Sequence, residues 1–269
     1  HFVYPYLWAS ATELNRINFE GDTAADTVGW DNRIENSFDL GGIEHKVMLG
    51  VDYRLYRIDN VQNSVFGSGP IDVNNPVYGQ PQLAPAPLYN ETVTMNQLGL
   101  YAQDQIRFGG GWLVTLNGRY DVVHTDFDNK LTPAGSFKDT DGAWSGRAGL
   151  AYEFDNGVTP YISASTFFNP LVGRGLQGPL KPEKGEQYEA GIKYVPEFMD
   201  ASMTASVFQI NKRNATVSIA TAPFTDQLGG AQSRGFEIEG KVNVDENWKL
   251  LASYAYTGTE VTKNDPNPA

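Results

Sequence analysis

The chain has 269 residues, no cysteine and a formal net charge of −12. The lack of cysteine excludes disulfides, cysteine-ligated zinc and thiol catalysis, and the negative charge argues against a nucleic-acid partner. No apolar run reaches the ~18 residues of a membrane helix. A transmembrane β-barrel alternates its two faces, however, so the mean hydropathy of −0.38 is also compatible with a membrane protein.

Apolar and polar residues alternate with a period of two along most of the chain, and Gly, Asn, Asp and Pro separate the alternating runs. This pattern predicts an all-β fold with eleven strands and no convincing helix. The second strand is long, and Gly21 is the candidate position for a break in it. The predicted strands lie near 1–8, 13–39, 43–59, 93–108, 111–126, 143–155, 158–168, 185–196, 200–218, 230–243 and 247–262.

The run from 185 to 194 shows the alternation most clearly. Tyr188 and Ile192 fall on one side of an extended strand, and Glu189 and Lys193 fall on the other. Such a strand separates two environments, either water and a protein core or water and lipid. Alternation alone therefore leaves a soluble sandwich and a membrane barrel open. Similar runs occur at 46–54, 114–122, 147–154 and 236–242.

The lengths of the connections favour the barrel, because short and long connections alternate along the chain. An outer-membrane barrel has tight periplasmic turns and longer extracellular loops. Trp112 and Trp248 closely follow short turns, where an aromatic girdle is expected. The short connections are 40–42, 109–110, 155–157, 196–199 and 245–246, and the long ones are 60–92, 127–142, 169–184 and 219–229.

The strand count indicates an incomplete barrel. Bacterial single-chain barrels close with an even number of strands, and eleven is odd. The segment 264–269 also has the composition of a loop-like tail. Residues 1–269 are therefore predicted to be a partial transmembrane antiparallel β-barrel domain, with the closing strands absent.

Several runs, kept in family order, make the chain resemble the barrel portion of TonB-dependent ferric siderophore receptors, closest to the ferrichrome and hydroxamate group. The resemblance implies about half the wall of a 22-stranded barrel that is filled by an N-terminal plug domain. Neither the plug nor a TonB box lies within the chain. The runs are 43–53, 98–106, 118–121, 154–161, 181–194, 233–239 and 252–256.

The resemblance also implies a function without catalysis. The receptor binds a ferric siderophore and carries it to the periplasm with energy from TonB, ExbB and ExbD. It lies in the bacterial outer membrane, among lipid and lipopolysaccharide. Ferric iron is carried within the siderophore ligand, and no covalent cofactor is expected.

Candidate ligand-binding residues follow from the same resemblance. In the resembling receptors, aromatic side chains at the mouth of the barrel hold the bulky chelate. Tyr4 and Tyr6 match a Tyr-x-Tyr pair near the external rim, and Phe66 lies where the family places a ligand-contacting phenylalanine. Tyr78 is a weaker candidate. The competing interpretations are girdle or lumen tyrosines for Tyr4 and Tyr6, a buried loop anchor for Phe66, and packing for Tyr78.

Other functions and motifs receive less support. An unplugged porin, or a receptor of the same architecture for cobalamin or heme, remains the alternative. The run 173–178 spells G-x-G-x-x-G, but Pro179 and Pro182 follow it, so we interpret it as a flexible extracellular loop rather than a dinucleotide site. His45 and His124 have no Ser or Asp partner in a nucleophile motif, so a hydrolase is not favoured.

Overall fold

The computed structural model describes residues 2–66, 69–176, 178–218, 225–227 and 229–263. The tail at 264–269 lies outside these ranges. The only helical element within them is a single 3₁₀ turn, Pro133–Gly135, and no helix there is long and apolar enough to cross a membrane. The strands are β1 (Phe2–Trp8), β2 (Glu13–Asp39), β3 (Glu44–Phe66), β4 (Ile71–Asp72), β5 (Ala86–Phe108), β6 (Trp112–Asn129), β7 (Phe137–Tyr152), β8 (Val158–Asn169), β9 (Arg174–Gly175), β10 (Gly178–Pro179), β11 (Glu183–Tyr194), β12 (Ala201–Arg213), β13 (Thr216–Ser218), β14 (Thr225–Gln227), β15 (Gly230–Asn243) and β16 (Lys249–Lys263).

The main sheet is a meander in which each long strand pairs with the next long strand along the chain. Its order is β1-β2-β3-β5-β6-β7-β8-β11-β12-β15-β16, and β4 pairs with β2. The eleven strands on this path confirm the predicted all-β fold and its strand count. The short strands β9 and β10 pair with each other, as do β13 and β14.

Three predicted boundaries are wrong in the same direction. β3 continues to Phe66 and β5 begins at Ala86, so the predicted long connection 60–92 shortens to 67–85. β7 begins at Phe137, where the prediction began the strand at 143. β2 runs without interruption through Gly21, where a Cβ atom would lie 3.2 Å from the Phe19 ring. The glycine therefore marks close packing of an aromatic side chain and does not break the strand.

The chain forms two compact units. The first comprises His1–Gly29, Arg54–Asn96 and His124–Thr140, and the second comprises Trp30–Tyr53, Gln97–Val123 and Asp141–Ala269. The first unit has a small apolar core that includes Ile17, Val93 and Phe127. Phe127 is stacked on Phe137, with ring centroids 5.0 Å apart.

The second unit has two chemically different faces. Cross-strand pairing places Ile192 beside Ala205 and Ala205 beside Ile238, and Ile192 and Ile238 are 50% and 44% exposed. We call this side the apolar face. One residue along, Lys193 pairs with Thr204 and Thr204 with Glu239, and we call their side the polar face. The two faces confirm the alternation that the sequence predicted.

Candidate ligand-binding site

Two of the four predicted ligand contacts lie on β1. Its backbone pairs with β2, and Tyr4 is opposite Ile17. The side chains of Tyr4 and Tyr6 lie outside the described part of the structure. Their role in ligand binding therefore stays a prediction.

The other two predicted contacts lie at the end of β3 and in the segment that follows it. Phe66 is the last residue of β3 and is 49% exposed, and Tyr78 is 76% exposed. An aromatic side chain that keeps about half or more of its surface in solvent is available to a bulky ligand. The role of Phe66 and Tyr78 in ligand binding stays a prediction.

The segment around Tyr78 is held against β2 of the first unit at several points. β4 pairs with the start of β2, and the Val73 amide donates a hydrogen bond to the Thr12 carbonyl at 2.9 Å. The Arg16 Nε donates to the Gly69 carbonyl at 2.9 Å, and the buried Asn18 Nδ2 donates to the Leu83 carbonyl at 2.7 Å. These bonds lie on both sides of Tyr78 in sequence, so its exposed ring is presented by an anchored segment.

Charged residues of the first unit stabilise the strands that lead to this segment. A tilted strand crosses the bilayer core with about 9–11 residues, so Arg57 and Asp59, more than a dozen residues from the short turn at 40–42, lie beyond that span. Arg57 and the Thr92 hydroxyl donate hydrogen bonds to Asp59, and Lys130 lies 3.9 Å away. The hydrogen bond from Arg57, followed by that from Thr92, lowers the pKa of the Asp59 carboxyl.

Hydrogen bonds join two further connections of the second unit to each other. The buried Gln227 donates hydrogen bonds to the carbonyls of Lys181 and Asn214 and accepts one from the Lys181 amide. The buried Glu183 carboxylate forms a salt bridge of 2.7 Å with Lys212. The Gln227 side chain thus joins the segment before β11 to the segment after β12, and the Glu183 salt bridge links β11 to β12.

The run 173–178 forms part of this assembly. It contains β9 and the first residue of β10, and these two short strands pair with each other. A Cβ atom on Gly175 would lie 2.6 Å from Asp226 Oδ1. The same oxygen accepts a hydrogen bond from the Leu176 amide at 3.3 Å. The structure therefore gives this run a short, packed hairpin where the sequence suggested a flexible loop.

Sequence reasoning missed a charged cluster on the polar face of the second unit. Arg119 binds Asp121 through two hydrogen bonds of 2.6 and 2.7 Å and also binds Asp52. Gln97 donates to Asp121 at 2.7 Å, and the Arg119 guanidinium lies over the Tyr101 ring. The cluster takes residues from three of the runs that carry the family resemblance, 43–53, 98–106 and 118–121. That shared origin is the sequence signal that could have indicated the cluster.

The apolar face also carries a hydrogen-bonded polar pair. His45 Nδ1 lies 2.8 Å from Asp104 Oδ2, and the His45 ring is stacked on Phe38. Asp104 occupies the same alternating register as the exposed Leu98 and Leu100. The pair gives His45 an acidic partner 59 residues away in the chain, but the described contacts show no serine that would complete a catalytic triad.

The chain matches, over residues 1–269, the family model described as "TonB dependent receptor-like, beta-barrel". It belongs to this family. The predicted family membership is therefore confirmed. Proteins of this family are transport receptors of the bacterial outer membrane and not enzymes. The alternation of faces in the wall agrees with the membrane location.

Two curated relatives from the TonB-dependent receptor family match most of this chain and are named for a particular ligand. The chain is 37% identical over 269 residues to the ferrioxamine B receptor of Salmonella typhimurium, covering 98% of this chain and 37% of that protein. It is 35% identical over 243 residues to the ferrichrome outer membrane transporter/phage receptor of Escherichia coli, covering 86% of this chain and 32% of that protein. The chain thus spans about a third of the length of these two relatives.

Solved structures show the same fold. The siderophore receptor PiuA from Acinetobacter baumannii matches with a TM-score of 0.72 at 17% identity, covering 95% of this chain and 46% of that one. The ferric-catecholate import receptor Fiu from Escherichia coli, in its closed form, matches with a TM-score of 0.74 at 15% identity, covering 95% and 46%. At these identities the likeness concerns the architecture of the barrel wall.

Proposed function

We propose that the chain is part of the wall of an outer-membrane receptor that binds a ferric hydroxamate siderophore and imports it with energy supplied through TonB. The observation that carries the proposal is the similarity, over nearly the whole chain, to a ferrioxamine B receptor and a ferrichrome transporter. The cargo is ferric iron, which arrives already coordinated by its siderophore. A plug domain upstream of this chain and the ExbB and ExbD proteins belong to the same proposal.

The exposed aromatic residues Phe66 and Tyr78 supply the contacts that such a ligand needs. A hydroxamate chelate of ferric iron is bulky and close to neutral, so aromatic faces hold it better than charged side chains do. Because Tyr78 lies in a segment anchored to β2 on both sides, little ordering free energy is lost on binding. We include Tyr4 and Tyr6 in the proposed site on the basis of the family resemblance.

Tryptophan fluorescence quenching on the full-length receptor tests the proposal. We expect ferrioxamine B or ferrichrome to quench the fluorescence, and Phe66→Ala and Tyr78→Ala each to weaken binding about tenfold, as loss of an aromatic anchor does. Phe198→Ala is the matched control, because Phe198 is 80% exposed but lies in a short turn. Quenching by ferric catecholates alone would contradict the hydroxamate assignment, and unchanged affinity in both variants would contradict the site.

A further inference from the structure

A network of polar side chains precedes Phe66 on one side of the strands of the first unit. Asn60, Gln62 and Phe66 share one side of β3, because side chains alternate along a strand. The Asn60 Oδ1 accepts hydrogen bonds from Thr23 at 3.1 Å and from Gln62 at 2.9 Å. The Asn60 Nδ2 donates to the Glu91 carboxylate at 3.2 Å. The strands β2, β3 and β5 therefore each contribute a polar side chain to one connected network.

The Asn60 amide holds the Glu91 carboxylate in place. Because the amide oxygen already accepts two hydrogen bonds, the amide nitrogen is the group that meets Glu91. Tyr89 lies two residues away on the same side of β5 and is partly buried. Burial, followed by the charge of Glu91, raises the pKa of the Tyr89 hydroxyl, so this hydroxyl stays neutral. Glu91 is thus a partly buried carboxylate that is held among neutral groups.

The surroundings of Glu91 differ from those of Asp59, which lies on the opposite side of β3. Asp59 is paired with Arg57 at 3.1 Å and lies 3.9 Å from Lys130. No lysine or arginine among the residues that the structure describes forms a salt bridge with Glu91. A partly buried carboxylate is stabilised by a positive charge placed beside it. A cationic group on a bound ligand would supply that charge.

We infer that Glu91 is a further ligand-binding residue of this receptor and that it selects ferric hydroxamates that carry a protonated amine. The inference rests on the proposed function, which brings a ferric hydroxamate to Phe66. The chelate core is close to neutral and packs against aromatic side chains, so a charged side arm is the part that a carboxylate recognises. The six residues from Asn60 to Phe66 span about 20 Å of strand, a distance that a chelate core with an extended side arm covers. The net charge of −12 also attracts a cationic ligand.

Two forms of one chelate test the inference on the full-length receptor. Ferrioxamine B ends in a primary amine that is protonated at neutral pH, and acetylation of that amine gives a neutral chelate with the same iron-binding core. We expect the wild-type receptor to bind the cationic form about tenfold more tightly in fluorescence-quenching titrations, because a hydrogen bond between charged groups is lost with the acetylated form. High salt should reduce this ratio, since it screens the charges. Glu91→Gln should bring the ratio to about one.

Glu20→Gln is the matched control. Glu20 also accepts a hydrogen bond from an amide of β3, that of Asn63 at 3.4 Å, but Glu20 is exposed and lies on the side of β2 opposite Thr23. Its variant is expected to keep the wild-type ratio. The ratio compares two chelates on one receptor, so a variant that yields less folded protein does not change it by that means.

Charge reversal gives the sharpest outcome. Glu91→Lys is expected to invert the preference, so that the acetylated chelate binds more tightly than the cationic one. Equal affinities of the wild-type receptor for the two forms, or a ratio that Glu91→Gln leaves unchanged, would overturn the inference. A wild-type receptor that binds neither form of ferrioxamine B nor ferrichrome would instead overturn the proposed function.

Discussion

The two faces of the second unit use large side chains in opposite ways. On the polar face, Tyr161 and Arg119 lie over glycines and their polar tips bind carboxylates. On the apolar face, Ile162 and Val207 are each 58% exposed. The difference teaches that in this wall the face toward lipid needs only apolar surface, whereas the other face needs defined side-chain positions.

His45 and Asp104 form a polar pair that tests this contrast. They bring a hydrogen-bonded acidic pair to the apolar face, and Asp104 Oδ1 is buried without a hydrogen-bond partner in the described part of the chain. A buried polar atom left unpaired costs about 1–3 kcal/mol. The two runs that contain these residues, 43–53 and 98–106, are also runs that carry the family resemblance.

Breaking the charged cluster of the polar face is expected to have the largest effect. Arg119→Met leaves Asp52 and Asp121 buried without their cation, and their side chains are only 7% and 4% exposed. We expect the free energy of unfolding in liposomes to fall by about 3–5 kcal/mol, measured by denaturant titration. Adding Asp52→Asn and Asp121→Asn should recover most of this loss, and an equally large loss in the triple variant would contradict an electrostatic cause.

The second-largest effect is expected from a charge placed on the apolar face. Ile192→Arg puts a guanidinium on the apolar face two residues before the end of β11, between the bilayer midplane and the interface, and we expect unfolding in liposomes to become easier by about 1–2 kcal/mol. The control is Thr204→Arg, on the polar face beside Lys193 and Glu239. Equal destabilisation by the two variants would mean that Ile192 does not face lipid.

The smallest effect is expected from Asp59 in the first unit, where solvent screens the charges. Hydrogen bonds from Arg57 and then Thr92 lower the pKa of its carboxyl below the ordinary value of 3.8. The folded state therefore binds the proton less readily than the unfolded state, so the stabilisation is present above the ordinary pKa and is lost on acidification. Thermal melting should show Asp59→Asn less stable than wild type near neutral pH, with the gap closing in strong acid. A gap that persists there would contradict the assignment.

Much of the fold was predictable because a two-residue alternation is a local property. Tyr188 and Glu189 take opposite faces in any extended strand, so the strands and the short turns followed from residue order alone. The outer ends of the strands did not follow from residue order, because β3 and β5 pair well beyond their strongest alternating runs. The packed hairpin at 173–178 was also missed, because Asp226, which bonds to its Leu176 amide, comes 50 residues later in the chain.

The candidate site was predictable only in part. The resemblance selected Phe66 and Tyr78, and the structure adds that both are exposed and that the segment around Tyr78 is anchored by Arg16 and Asn18. These anchors are hydrogen bonds to carbonyl groups 53 and 65 residues away. Such bonds leave no pattern in the sequence, because a backbone carbonyl is the same group at every residue.

By itself the sequence determined that this chain forms two-faced antiparallel strands joined by alternately short and long connections, and it indicated the receptor family. Those properties depend on the chemical character of each residue and of its near neighbours. The tertiary structure decided that Arg119 binds Asp52, that His45 meets Asp104, and that Tyr161 rests on Gly191. These contacts depend on which residues of distant segments stand side by side, and strand pairing alone fixes that.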